Sequence, residues 1–147
     1  MKLVLDTNVI VSLVLRKAPP ILTLMESCRR GEATLVLSKS LIQELGRVLH
    51  KPAVHRIHRY TDAQVSLFLR HFTTFAMMVP GDAPVEGLSD PKDMIVVATA
   101  LAGRADLIVI GDRKHLLPLK VISGISIVTP AEAVKYLPPQ SQKRITA

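Results

Sequence analysis

Cysteine, tryptophan and long apolar runs are the scarce features of this chain. Cys28 is the one cysteine among 147 residues, so no internal disulfide can form and the usage suits a reducing compartment. Tryptophan is absent, and Tyr60, Tyr136, Phe68, Phe72 and Phe75 are the whole aromatic stock. With so few stacking platforms, a nucleic-acid partner would have to be held by charge more than by base stacking. No stretch approaches the ~20 apolar residues of a membrane span. The apolar run over residues 9–15 is preceded by Asp6 and Asn8, which interrupt it short of a signal-peptide core. A soluble, cytoplasmic protein with no membrane partner is expected.

Acids are also in short supply, with 12 Asp and Glu against 19 Lys and Arg, a formal charge of +7. The segment from Arg16 to Arg70 holds ten of the cations and only Glu26, Glu32, Glu44 and Asp62 as acids. A positive field on one side of the molecule attracts phosphate backbones or acidic partners, although basic surfaces also serve solubility alone. Hydrophobic residues make up 48% and aromatics 3%, so the core must be aliphatic. That composition, with strand and helix signals in alternation, favours a single layered α/β domain.

Lys2 to Asn8 reads as a short apolar strand that delivers a carboxylate, a hydroxyl and an amide at its end. A run of this kind fits a strand buried on both faces, as in the middle of a parallel sheet. Further strands are expected at Thr34–Leu37, Ala76–Val79, Leu107–Ile110 and Ile125–Val128. Helical spacing covers Val9–Leu15, Ile21–Arg30, Leu41–Leu49, the basic Ala53–Tyr60 and a helix from Thr61 to about Thr74. Two more follow, Asp90 to Leu101 and Thr129 to about Leu137. Ser40 with Gln43 and Thr61 with Gln64 have the spacing of capping boxes. Pro80–Ser89 is the longest loop signal, and residues 138–147 are expected to be a flexible tail after a domain spanning 1–137.

Five strands separated mostly by helices imply parallel pairing, because each return crossover must be long and right-handed. If the first strand is central, the chain builds outward on one side and later returns to the other, making strands 1 and 4 neighbours. Asp6 and Asp112 then face one crevice beyond the strands' carboxyl ends, where ligands gather in open α/β sheets. Asp93, at a helix start, and Glu44, at the edge of an apolar helical stripe, can join them. Carboxylates gathered without cations repel one another and raise one another's pKa values. Mg²⁺ or Mn²⁺, which take oxygen ligands, would relieve that conflict. Each acid has a plainer reading too: Asp90 and Asp93 as helix caps, Asp112 as turn chemistry, Glu44 as a solvated surface residue. Four of the five histidines fall between His50 and His71 without compact ligand spacing, and His115 lies nearer the expected cleft.

Asp6-Thr7-Asn8-Val9 after a strand, Ser38 to Leu49 with Glu44 inside it, Asp90-Pro91-Lys92-Asp93 before an apolar helix, and Gly111-Asp112 after a strand occur in an order that resembles the PIN domain. The likeness is to the branch of toxins similar to VapC, and it runs from Met1 to about Leu137, including Gly124 to Pro130. The resemblance implies a three-layer α/β/α domain with a five-stranded parallel sheet of order 3-2-1-4-5. It implies Asp6, Glu44, Asp93 and Asp112 as the catalytic, metal-binding acids, with Thr7, Asn8 and Asp90 in support. It implies a Mg²⁺- or Mn²⁺-dependent endoribonuclease acting as the toxin of a toxin–antitoxin pair, with a small antitoxin protein as partner and a homodimer as its assembly. Lys39, Arg47, Lys51, Arg113 and Lys114 are the cations expected against the RNA backbone. Relatives often carry an acid where this chain has Lys114-His115, so one well-held metal is expected. Two rival readings are a non-catalytic RNA- or antitoxin-binding module and a phosphatase resembling the haloacid dehalogenase superfamily. The latter wants a second Asp where Asn8 stands.

Overall fold

The computed structural model describes residues 1–15, 18–111 and 119–142. Six strands, β1 (Lys2–Leu5), β2 (Thr34–Ser38), β3 (Met77–Val79), β4 (Leu107–Val109), β5 (Val121–Ile122) and β6 (Ile125–Val128), form one sheet. Its order is β3-β2-β1-β4-β6-β5. The five longer aliphatic runs stand in the expected order 3-2-1-4-5, all parallel. The sixth strand departs from expectation: β5 pairs antiparallel with β6 at the sheet margin. Ser123 and Gly124 join the two strands with φ of 48° and 81°, the backbone of a type I′ hairpin turn. A strand of two residues leaves no periodic trace in the sequence.

Eight helices are present among the described residues: α1 (Thr7–Leu15), α2 (Pro19–Arg29), α3 (Lys39–Leu49), α4 (Pro52–His58), α5 (Asp62–Thr73), α6 (Pro91–Ala102), α7 (Pro130–Val134) and α8 (Pro139–Gln142). Leu3, Val4 and Leu5 are each fully buried, as a strand must be when helices cover both faces of the sheet. Packing of α6 against β1, β2 and β4 buries Val96, Val97, Ala98 and Ala100. No single helix among the described residues is long and apolar enough to cross a membrane.

Helix starts follow side-chain chemistry. Thr61 and Gln64 form both halves of a capping box, and Asp90 caps α6 with Pro91 at its first position. The cap of α3 is Ser38, whose Oγ accepts the Leu41 N–H at 3.1 Å, and not Ser40. Ser38 closes β2 in extended geometry, φ −130° and ψ 160°, so strand end and helix cap are one residue and the helix starts earlier than a Ser40 box allows. The described part of the expected tail is also structured. Ser141 is buried, its hydroxyl meets the Glu32 carboxylate, and α8 packs on α2.

Ile108, fully buried at the centre of β4, tests the core. Replacing it with Ala should cost about 2–5 kcal/mol through lost transfer energy and the cavity left behind. The urea midpoint should fall with the slope unchanged; an unchanged midpoint would show that this strand is not the packed centre.

Candidate active site

Asp6 closes the central strand and opens the first helix. Its N–H donates to the Val109 carbonyl of β4 at 2.9 Å, while its own carbonyl accepts from Val9 and Ile10 at 3.0 and 3.2 Å. From β1 the chain next adds β2 on one side, and it later returns as β4 on the other. Asp6 therefore stands at the point where strand order reverses, the usual ligand position in open sheets. Thr7 is buried and Asn8 exposed beside it. A cavity of about 300 Å³ opens close by, lined by Ile110, Gly111, Thr129, Pro130, Ala18 and Ile21.

Two further acids come from α6. Asp90 accepts the Lys92 N–H at 2.9 Å through Oδ1, so its capping role is real. Asp93 lies half-buried in the first turn, where the helix dipole favours a negative charge.

Glu44 departs from the expected picture of mutually repelling carboxylates. Its side chain is only 12% exposed, and both oxygens accept from Arg47, at 2.9 Å from Nε and 2.6 Å from the terminal guanidinium nitrogen. Those hydrogen bonds hold the Glu44 carboxyl below the usual carboxylate range against the opposing effect of burial, and the charges of Arg47, Lys92 and Lys51 add to the lowering. Among the described residues, the charges that act on Glu44 are those of Arg47, Lys92 and Lys51. Lys92 is the participant that sequence reasoning missed. It stands inside the Asp90-Pro91-Lys92-Asp93 motif, but its proximity to α3 depends on how the two helices pack.

Asp112, Arg113, Lys114 and His115 lie outside the described residues. Among the described residues, no three His, Cys, Asp or Glu side chains gather closely enough to hold a metal ion. Lys39 and Lys51 are exposed at the two ends of α3. The histidines of the α3–α5 region make local contacts. His50 reaches the Gly46 carbonyl and Asp62. His58 accepts the Tyr60 N–H and faces the Leu49 carbonyl with its other nitrogen.

The family model described as PIN domain matches residues 2–114. A comparison with curated proteins returned no match. Among solved structures, the fold is similar to a chain of VapBC2 from Rickettsia felis bound to a DNA fragment from their promoter. The TM-score is 0.59 at 15% identity, covering 86% of this chain and 97% of that one.

The ion pair at Glu44 gives a pH-dependent expectation. A carboxyl with a depressed folded-state pKa contributes stability above its unfolded value, about 4.3 for Glu, and loses it as the pH falls through the folded value. Arg47→Gln lets the Glu44 pKa rise, so the variant should be less stable than wild type near neutral pH. The two should converge only as the pH falls through the depressed folded-state value, where the native Glu44 carboxyl itself becomes protonated. Urea midpoints across pH check this, and a difference independent of pH would mean that Arg47 acts by packing alone.

Proposed function

Because the chain belongs to the PIN domain family, whose members are generally nucleases, we propose that it is a divalent-metal-dependent endoribonuclease and the toxin of a toxin–antitoxin pair. The observation that carries this reading is the position of Asp6, at the carboxyl end of a doubly buried strand and hydrogen-bonded to β4 where the strand order reverses. Family membership takes the place of the dehalogenase-like phosphatase resemblance.

The donors suit a hard cation. Asp6, Asp93 and Glu44 offer carboxylate oxygens, Thr7 a hydroxyl and Asn8 an amide, the ligand chemistry of Mg²⁺ or Mn²⁺. In this reading Asp112 completes a set that the described acids do not complete alone, and Asp90 supports it by fixing the start of α6. When bound, the metal supplies Lewis acidity toward the phosphoryl oxygen and lowers the pKa of a coordinated water. In this reading Glu44 exchanges part of its pairing with Arg47, which bonds both carboxylate oxygens in the ligand-free protein, for the metal. The released guanidinium, half exposed even when paired, would then face a phosphate, the anion its fork suits best. Lys39, Lys51 and Lys92 extend that positive field along α3 and the start of α6, and Arg113 and Lys114 are proposed to join it.

The complex named for the Rickettsia felis proteins supports an antitoxin as partner. We assign its apolar segment to the groove between α1, α2 and α5, lined by Leu13, Leu22, Met25, Phe68, Phe72 and Phe75. Arg29, already paired with Glu26, and His71 line the same groove.

Asp6→Asn should fold as wild type does and lose Mn²⁺-dependent RNA cleavage by more than the roughly 10–100-fold cost of disturbing a metal's supporting contacts. Mn²⁺ should raise the melting midpoint of wild type and not of the variant. Full activity in D6N sinks the mechanism. RNA binding without cleavage by either protein would favour the non-catalytic module.

A further inference from the structure

Ser38 and Thr99 have no chemical part in the reading above, yet they form a fully buried contact between distant parts of the chain. Their hydroxyl oxygens are 2.7 Å apart and both residues have no exposed surface. The proton order follows from the partners. Thr99 Oγ1 donates to the Ile95 carbonyl at 2.7 Å, so it accepts from Ser38 Oγ, which itself accepts the Leu41 N–H at 3.1 Å. A single directed chain of hydrogen bonds therefore runs from the first turn of α3 into the middle of α6. The loop after β3 closes over the pair at Gly81, where an added Cβ would lie 2.3 Å from Ser38 Oγ and 2.6 Å from Thr99 Oγ1.

The contacts between these segments run in opposite directions along the chain. Val36 lies against Gly103, where a Cβ would approach Val36 Cγ1 to 2.4 Å. Ser38 meets Thr99 next, and Glu44 lies within the field of Lys92. Glu44 is six residues beyond Ser38, and Asp93 is six residues before Thr99. At a rise of ~1.5 Å per residue, both steps advance about 9 Å from the pinned point. With α3 packed on α6, these steps carry Glu44 toward the first turn of α6, where the Lys92 charge acts on it.

We propose that the Ser38–Thr99 hydroxyl pair is a register pin that sets Glu44 against Asp93, making both residues positioning residues for the acidic site. Its structural half rests on helix packing alone; its effect on activity rests on the nuclease reading.

Thr99→Val keeps the shape and removes the hydroxyl, whereas Thr99→Ser keeps the hydroxyl. Spin labels at exposed Gln43 and Leu101 report the spacing of α3 and α6. Cys28 is 2% exposed and its thiol is pushed up to about 12 by burial, which leaves it inert to labelling. T99V should broaden or shift the distance distribution and raise the half-saturating Mn²⁺ for cleavage by about 10–100-fold. KM for RNA should be unchanged, and T99S should behave as wild type. Should T99V not fold, Ser38→Ala, which leaves Thr99 bonded to Ile95, is measured in the same way. A wild-type distance distribution in the hydroxyl-deficient variant overturns the pin whatever the Mn²⁺ response. Failure of wild type itself to cleave RNA with Mn²⁺ overturns the nuclease reading, and the distances still decide the pin.

Discussion

The backbone hydrogen bond from Asp6 to Val109 is the constraint from which the rest of the carboxyl edge follows. It exists because β1 is flanked by parallel strands that the chain supplies at different times, β2 first and β4 later. A strand in that position must be aliphatic on both faces, and Leu3, Val4 and Leu5 satisfy the requirement. The first polar side chain after them is held at the edge, between the start of α1 and the end of β4. Asp6 is half-buried there, at the position where ligands gather in open α/β sheets.

The electrostatics around that edge are mixed. Asp6 and Asp93 bring negative charge at a strand end and a helix start, while Glu44 is wrapped by Arg47 and lies in the fields of Lys92 and Lys51. Cations set beside carboxylates in this way give the edge a positive field that attracts anionic ligands. The Glu44–Arg47 pair also keeps a largely buried carboxylate from standing uncompensated in the ligand-free protein.

Much of this architecture was legible in the residues. Aliphatic runs of four or five, bounded by polar or turn residues, located the five long strands, and their order followed from crossover rules. The Thr61–Gln64 box was local chemistry and appeared as spaced. What escaped was either too short or too distant in sequence. Val121–Ile122 is a pair of residues with no period to detect. Ser38 was hidden because it ends a strand pattern, and Ser40, two residues on, offered a more conventional spacing. The relation of Lys92 to Glu44 and the Ser38–Thr99 contact depend on the register of two packed helices, which no window of sequence contains. Among the candidate acids, Asp6 carried the clearest signal because it directly follows an aliphatic strand; Glu44 carried the weakest, since an edge position on an amphipathic helix does not say which charges face it.

The hairpin that carries β5 has a consequence for how the protein behaves among other chains. The sheet's outer strands are short, three residues in β3 and two in β5, and no interior strand is shorter than β3. Unpaired N–H and C=O groups along a sheet margin are a template for another chain to extend. Here that template is only a few bonds long on either side, and at the β5 margin it begins beside Lys120. An aliphatic sheet of high β-propensity is thereby given little margin on which edge-to-edge aggregation could begin.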